Sequence, residues 1–383
     1  MRINKYISLS FLFLVIVTSC VDEYWPEMDK YENLLVVDGM ISNAPGPYTI
    51  KLSRSSNVNA PQIDPYSGCR IRFLDDLGNQ EKLVELKDEP GTYITTTPGY
   101  KGIVGRKYMI DITTPDEEIY QSGFEEIFAP VGIDTVYASI EYRPHDILER
   151  DRVGYQFYLD SKVADSDTNF LLWKLEETWE YWSDFTIDFL YYGYFQEFAN
   201  WDSLYKCWRT QNVTHIYTAT TQNLSSPVIR NFPLHFVDTE TKKLSVRYSL
   251  AVRQLSITPD AHFYWDNIKN QISDGGSLYT KQPFQVRSNV SNIENPDEPV
   301  LGYFLVAGES RKRIFVNPPV GVSFYYPRCE PNFDLRVLGF APPSSWPIYL
   351  TSIEGRLAVG GDGCFDCTIY GGTTEKPAWW QYQ

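Results

Sequence analysis

Cys364-Phe365-Asp366-Cys367 is the stretch whose residue types and spacing come closest to a chemical motif. Two thiols two residues apart suit a redox couple, a metal knuckle or structural disulfides. A thioredoxin-like couple wants its CxxC at a helix N-terminus in a βαβ setting, where the thiol pKa falls. Here the motif lies in a Gly/Asp-rich loop near the chain end. A zinc site that recruits Cys207 and Cys329 lacks the second close pair of a metal knuckle. An oxidising compartment and a loop-rich C-terminal end favour disulfides. The expectation is therefore that Cys364 and Cys367 each reach one of Cys207 and Cys329, with the partner choice open. Cys69 shares a face with Ile71 and Phe73 and is left unpaired, as a small buried hydrophobe.

No other cluster names a reaction. His145, His215, His235 and His262 fall in no HExxH or GxSxG context and have no helical ligand spacing, so each reads as a surface or satisfied core histidine. Asp165-Ser166-Asp167-Thr168-Asn169 begins like a calcium loop, with Glu176 at its twelfth position. Phe170 replaces the glycine of the sharp turn, and flanking helices are absent. Glu176-Glu177 and Asp116-Glu117-Glu118 invite a glycosidase reading, which requires two carboxyls held across a cleft; a solvated acidic face is the simpler account. Gly360-Gly361-Asp362-Gly363-Cys364 has no P-loop lysine, and the three Asn-x-Ser/Thr sequons carry little weight. The expectation is no catalytic residue, no metal and no cofactor.

The compositional anomaly lies between Trp173 and Trp208, which is dense in Trp, Tyr and Phe. Exposed aromatic faces stack on sugars and other planar ligands and form protein hot spots. Large β-domains also fill their cores with them, and that reading weighs slightly more. Trp179, Trp182, Tyr191, Tyr192, Tyr194 and Trp201 are the candidates for a ligand or partner surface.

The elements that must position these residues are mostly strands. From Leu34 the pattern has period two. Leu34–Ser42 reads as a strand broken at Asp38-Gly39. Tyr48, Ile50 and Leu52 share one face, as do Cys69, Ile71 and Phe73, and Tyr108, Ile110 and Ile112. Short strands separated by Gly/Asn/Asp/Pro turns indicate an immunoglobulin-like β-sandwich over residues 31–128. Ala129-Pro130-Val131-Gly132 marks the boundary to a larger β-rich domain, 129–383. There, strands are expected over 134–142, 153–160 and 243–256. Phe170–Trp182 fits periods of two and of 3.6 and is taken as a strand on its Trp and Thr content. One helix is clear over about 258–274: Thr258 caps it, Pro259 opens it, and Ala261, Trp265, Ile268 and Ile272 form its stripe before Gly275-Gly276. The fold class is mainly β with that single α-helix.

The address is read from the other end of the chain. Arg2 and Lys5 precede an apolar run over 6–17, which is too short to span a bilayer and has the form of a secretory signal. Val17-Thr18-Ser19-Cys20 resembles a bacterial lipobox. Cleavage of residues 1–19 would leave Cys20 lipidated, with residues 20–30 as a tether. Two acyl chains suffice for stable anchoring, and no later segment is long and apolar enough to span, so the membrane is engaged through the lipid only. Asp22 and Glu23 resemble the acidic export signal of surface lipoproteins in Bacteroidetes-type bacteria. Outer-membrane, cell-surface placement is therefore expected ahead of the periplasmic face. Loss of the signal leaves 32 Lys+Arg against 49 Asp+Glu, a net charge of −17. Nucleic acid and an anionic bilayer surface both demand a basic face and are excluded as partners.

Four stretches carry a family resemblance. Leu34–Ser55, Tyr248–Gln271, Glu298–Val316 and Cys364–Trp380, in that order and spacing, resemble the Bacteroidetes-type lipoproteins grouped as domain of unknown function 4249. The resemblance covers nearly the whole mature chain. Cys69 stands where the family usually has a small residue, and Ser288 replaces an expected glycine. The resemblance implies an accessory role beside a TonB-dependent outer-membrane receptor in nutrient uptake, and it supplies no catalytic residues. The expected function is a non-catalytic, surface-tethered binding module for a ligand such as a glycan or peptide. A structural or adhesive envelope lipoprotein, and then a secreted hydrolase, are the alternatives.

Overall fold

The computed structural model describes residues 33–56, 63–162, 169–222, 228–274 and 286–381. Cys20, Asp22 and Glu23 lie outside these residues, as does Asp165–Thr168 of the calcium-like stretch. The chain is mainly β. Its largest sheet runs Lys206–Thr220, Phe170–Trp182, Arg247–Ile257, Leu301–Val316, Leu35–Ser42, Thr49–Arg54, Glu89–Thr95, Gln80–Leu86, Arg70–Asp75, Lys107–Thr113, Ile119–Ser122 and Val290–Asn292, in spatial order. A three-stranded sheet (Ile133–Pro144, Asp151–Lys162, Val228–Asp238) and a four-stranded one (Phe195–Glu197, Phe189–Tyr191, Ile348–Ile353, Arg356–Val359) complete the architecture.

Alternation explains how the layers form. In Phe170–Trp182, Leu171, Trp173, Leu175, Trp179 and Tyr181 point to one face and pack against Phe157, Leu159 and Leu234 of the three-stranded sheet. Trp173 stacks on Phe232 at 4.4 Å and donates its indole N–H to Gln254 Oε1 at 2.9 Å. Leu172, on the other face, packs with Met40, Leu255 and Tyr264 under the helix. The helix spans Pro259–Asp274 and is capped by Thr258 Oγ1, which accepts from the Ala261 N–H at 3.2 Å. Its stripe differs from expectation at one end. Ala261 is buried, but Ile272 is exposed.

Three further sequence readings are refined. Leu35–Ser42 is one continuous strand. Gly39 marks a close approach, not a break: a Cβ would lie 2.0 Å from Ile50 Cδ1, so that buried side chain would have to shift. Arg247–Ile257 is a strand, but the residues before it include a short 3-10 turn, Lys242–Leu244. The residues of the expected immunoglobulin-like unit share their sheet and core with distant chain. Leu35–Ser42 pairs in parallel with Leu301–Val316, and Ile119–Ser122 pairs with Val290–Asn292. Val290, Val300, Phe304 and Val306 complete the core around Phe73 and Tyr93. Ser288 does local work in place of a glycine, as its hydroxyl accepts from the Val290 N–H at 3.1 Å.

Glu309 locks the parallel seam. Its carboxylate accepts from Ser42 Oγ at 2.7 Å, from Arg253 Nε and Nη2 at 2.8 and 3.0 Å, and from Arg311. Burial alone would raise its pKa; the surrounding hydrogen bonds and positive charges outweigh burial and hold it at about 2.

Candidate functional site

Two disulfides organise the C-terminal end. Cys207 joins Cys367 and Cys329 joins Cys364, with Cα–Cα distances of 5.8 and 5.9 Å. Tyr181 OH donates to the Cys367 carbonyl at 2.6 Å, and the Phe185 N–H donates to the Cys364 carbonyl at 2.9 Å. The CxxC motif is thus split between two bridges: Cys367 ties the tail to the aromatic-rich segment through Cys207, and Cys364 ties it to Cys329. Cys69 is free and buried, and burial pushes its thiol pKa up.

Strand alternation then sorts the aromatic candidates. Trp179 is 6% exposed and belongs to the core, which corrects its assignment to an exposed contact surface. Trp182 points to the other face and is 39% exposed, with Tyr205 at 5.6 Å. Tyr194 and Trp201, at 64% and 51%, stand in turns beyond the strand. Tyr191 and Tyr192 are partly buried against the four-stranded sheet, and Tyr191 meets Phe195 at 5.3 Å and the Trp346 ring edge at 6.1 Å.

Tyr191 and Phe195 form one wall of an open groove of about 790 Å³. The opposite wall is the Leu335–Phe340 3-10 segment, held by Asp334, whose side chain caps the Arg336 N–H at 3.1 Å. Val337 and Phe340 project into solvent, Phe340 at 88% exposure. Sequence reasoning missed this wall. The available signal was a Leu, Val, Leu and Phe run inside a Pro/Gly-rich loop, of which Leu338 turns into a small core while Val337 and Phe340 stay exposed.

A second groove of about 490 Å³ runs beside the Cys329–Cys364 bridge. Trp179 contributes to its lining, with Lys243 Nζ at 5.0 Å and the Arg209 guanidinium at 5.6 Å over its ring. Tyr326 adds a further ring, with Arg328 at 5.5 Å. Aromatic faces bordered by cations suit planar or anionic groups.

The carboxylate neighbours do not make an acid–base pair. Glu176 and Glu177 alternate to opposite faces of their strand. Glu176 pairs with Arg313 at 2.9 Å. Glu177 is buried and accepts from Lys243 Nζ at 2.6 Å, Gln211 Nε2 at 2.5 Å and Tyr248 OH at 2.8 Å, with His235 Nε2 at 3.5 Å. Burial would raise its pKa, yet these partners hold it at about 2, so it is a fixed anion in the sandwich. Glu117 is exposed and paired with Arg70 at 2.7 Å. His145 faces Glu240 at 3.5 Å, His215 packs on Tyr217 and His262 on Phe170. Among the described residues, no three His, Cys, Asp or Glu side chains converge as a metal site.

Against known proteins, a family model described as a domain of unknown function, DUF4249, matches residues 21–313. No curated protein matches the chain in sequence. Among solved structures, it is similar to a DUF4785 family protein from Legionella pneumophila subsp. pneumophila str. Philadelphia 1, at 12% identity and a TM-score of 0.19. That alignment covers 60% of this chain and 54% of the other, so the chain spans about half of that protein's length. So faint a likeness carries neither fold nor function across.

Proposed function

The chain belongs to the family designated domain of unknown function 4249, and from that premise we propose a non-catalytic binding role. The protein is a lipoprotein anchored through Cys20 in the outer membrane and exposed at the cell surface. There it docks on a TonB-dependent receptor of a nutrient uptake system and helps it capture a ligand such as a glycan or peptide. The observation that carries this reading is the apolar groove between Tyr191 and Phe195 on one side and Val337 and Phe340 on the other. Contiguous exposed apolar surface on a folded protein marks an interaction site. The two disulfides hold the neighbouring tail in place, so aromatic side chains here would meet a partner with little ordering cost. Glu176 and Glu177 point to opposite faces of their strand and each is held by its own cation.

Phe195→Ala combined with Phe340→Ala tests the reading. Both residues are surface-exposed, where substitutions cost about 0.5 kcal/mol or less, so the variant should keep its Tm. Receptor co-purification and uptake should both fall. A folded variant with full receptor binding would remove the groove from the interface. Loss of cell attachment with undiminished uptake, after deletion of the protein, would instead mark an adhesive role.

A further inference from the structure

A separate cleft of about 710 Å³ opens on the helix-bearing face of the large sheet. Leu35–Ser42 and Thr49–Arg54 form one side, and Phe170–Trp182 and Lys206–Thr220 the other. Lys174 lies in its wall with its ammonium 5.5 Å from the centre of the Trp265 ring. Among the described residues, the Lys174 ammonium has no hydrogen bond or ion pair. The register sets Lys174 opposite Arg253, and Arg253 opposite Arg311. Directly opposed residues share one face of a sheet, and like charges so placed are destabilising. Three cations therefore stand in one row across three strands.

The neighbouring acids leave Lys174 unmatched. Glu309 is engaged by Arg253, Arg311 and Ser42. Glu176 is engaged by Arg313. Asp38 is exposed on the far wall and stands opposite Lys51 in the strand register. Burial lowers the Lys174 pKa, an effect that Asp38 opposes and Arg253 reinforces. Beside it, the Trp265 indole N–H is buried without a partner. In a chain with 49 acidic residues against 34 basic ones, an ammonium left without an acidic partner is not a by-product of composition.

We propose that this cleft binds a small carboxylate-bearing molecule. Its carboxylate pairs with Lys174, and its apolar or planar part lies against Leu172, Ile216 and Trp265. One unmatched ammonium accommodates one negative charge, while Asp38 and Glu176 in the same cleft repel a polyanion. The site does not depend on the receptor reading, because it lies on different strands from the aromatic groove.

Calorimetric titration of the purified chain with benzoate, N-acetylleucine and galacturonate tests this, each compared with its neutral amide, and with inorganic phosphate as the anion control. At least one carboxylate should bind. Its amide should bind about ten-fold more weakly or worse, as loss of a charge-assisted hydrogen bond implies. Lys174→Met should weaken carboxylate binding by a similar factor while its Tm holds or rises, because methionine keeps the apolar stem and removes an unpaired charge. Absence of carboxylate binding, equal binding of the amide, or undiminished binding by Lys174→Met would overturn the proposal. So would a lowered Tm in Lys174→Met, which marks a structural lysine, or phosphate binding as tight as the best carboxylate.

Discussion

At Glu309 a single carboxylate connects three strands, and its removal is the most informative change to one residue. Two arginines and a serine converge on it while its side chain is out of contact with water. Glu309→Gln would leave Arg253 facing Arg311 without an anion between them. Breaking a buried pair in this way costs about 3–5 kcal/mol, and the loss should appear as a lower urea midpoint. The pH dependence has a definite sign. The folded pKa, about 2, lies below the ordinary 4.5. The contribution is therefore complete above about pH 4.5 and is lost as pH falls through 2. Wild type should lose stability across that window more steeply than Glu309→Gln; parallel curves would contradict this role. The carboxylate's identity was readable in the sequence, but its partners were not. Ser42, Arg253 and Glu309 come together only through a parallel pairing between distant strands.

Among the elements, alternation was the most legible feature. It placed Ile71 with Phe73 and Ile110 with Ile112 in the core, whereas Phe170–Trp182, where periods of two and of 3.6 both fit, was readable as a strand only from its Trp and Thr content. The same period separates Trp179 from Trp182, although the sequence offered both as surface residues. Which face of a strand meets a second sheet depends on tertiary packing, and local periodicity does not contain that information. The Leu335–Phe340 wall was invisible for a related reason: it is an irregular 3-10 segment with no repeating pattern to detect. The disulfides lead to a prediction at this scale. Cys207–Cys367 closes a sequence separation of 160 residues and Cys329–Cys364 one of 35. Loop-closure entropy gives upper bounds of about 5 and about 4 kcal/mol respectively. Replacing the first pair by serine should lower the Tm more than replacing the second, and scanning calorimetry would show the reverse order if the tail were held mainly by the shorter loop.

At the scale of the whole molecule, the proposed anchor and the proposed partner would act together. The described chain begins at Asn33, just ahead of the strand at the parallel seam. A link of roughly ten residues from a lipidated Cys20 would keep the protein beside the bilayer and raise its effective concentration at a neighbouring receptor. Cys20→Ser should move it from the membrane fraction to the soluble one; unchanged fractionation and acyl labelling would contradict the lipobox reading. Among the described residues, no helix is long and apolar enough to cross a membrane. The central claim is that this protein works by holding a receptor, and chemical cross-linking on intact cells tests it most directly. Affinity purification of the cross-linked wild-type protein should recover a TonB-dependent receptor in near-stoichiometric yield, and Phe195→Ala with Phe340→Ala should reduce that yield. Recovery of the protein alone, from cells that express and surface-expose it normally, would contradict the account.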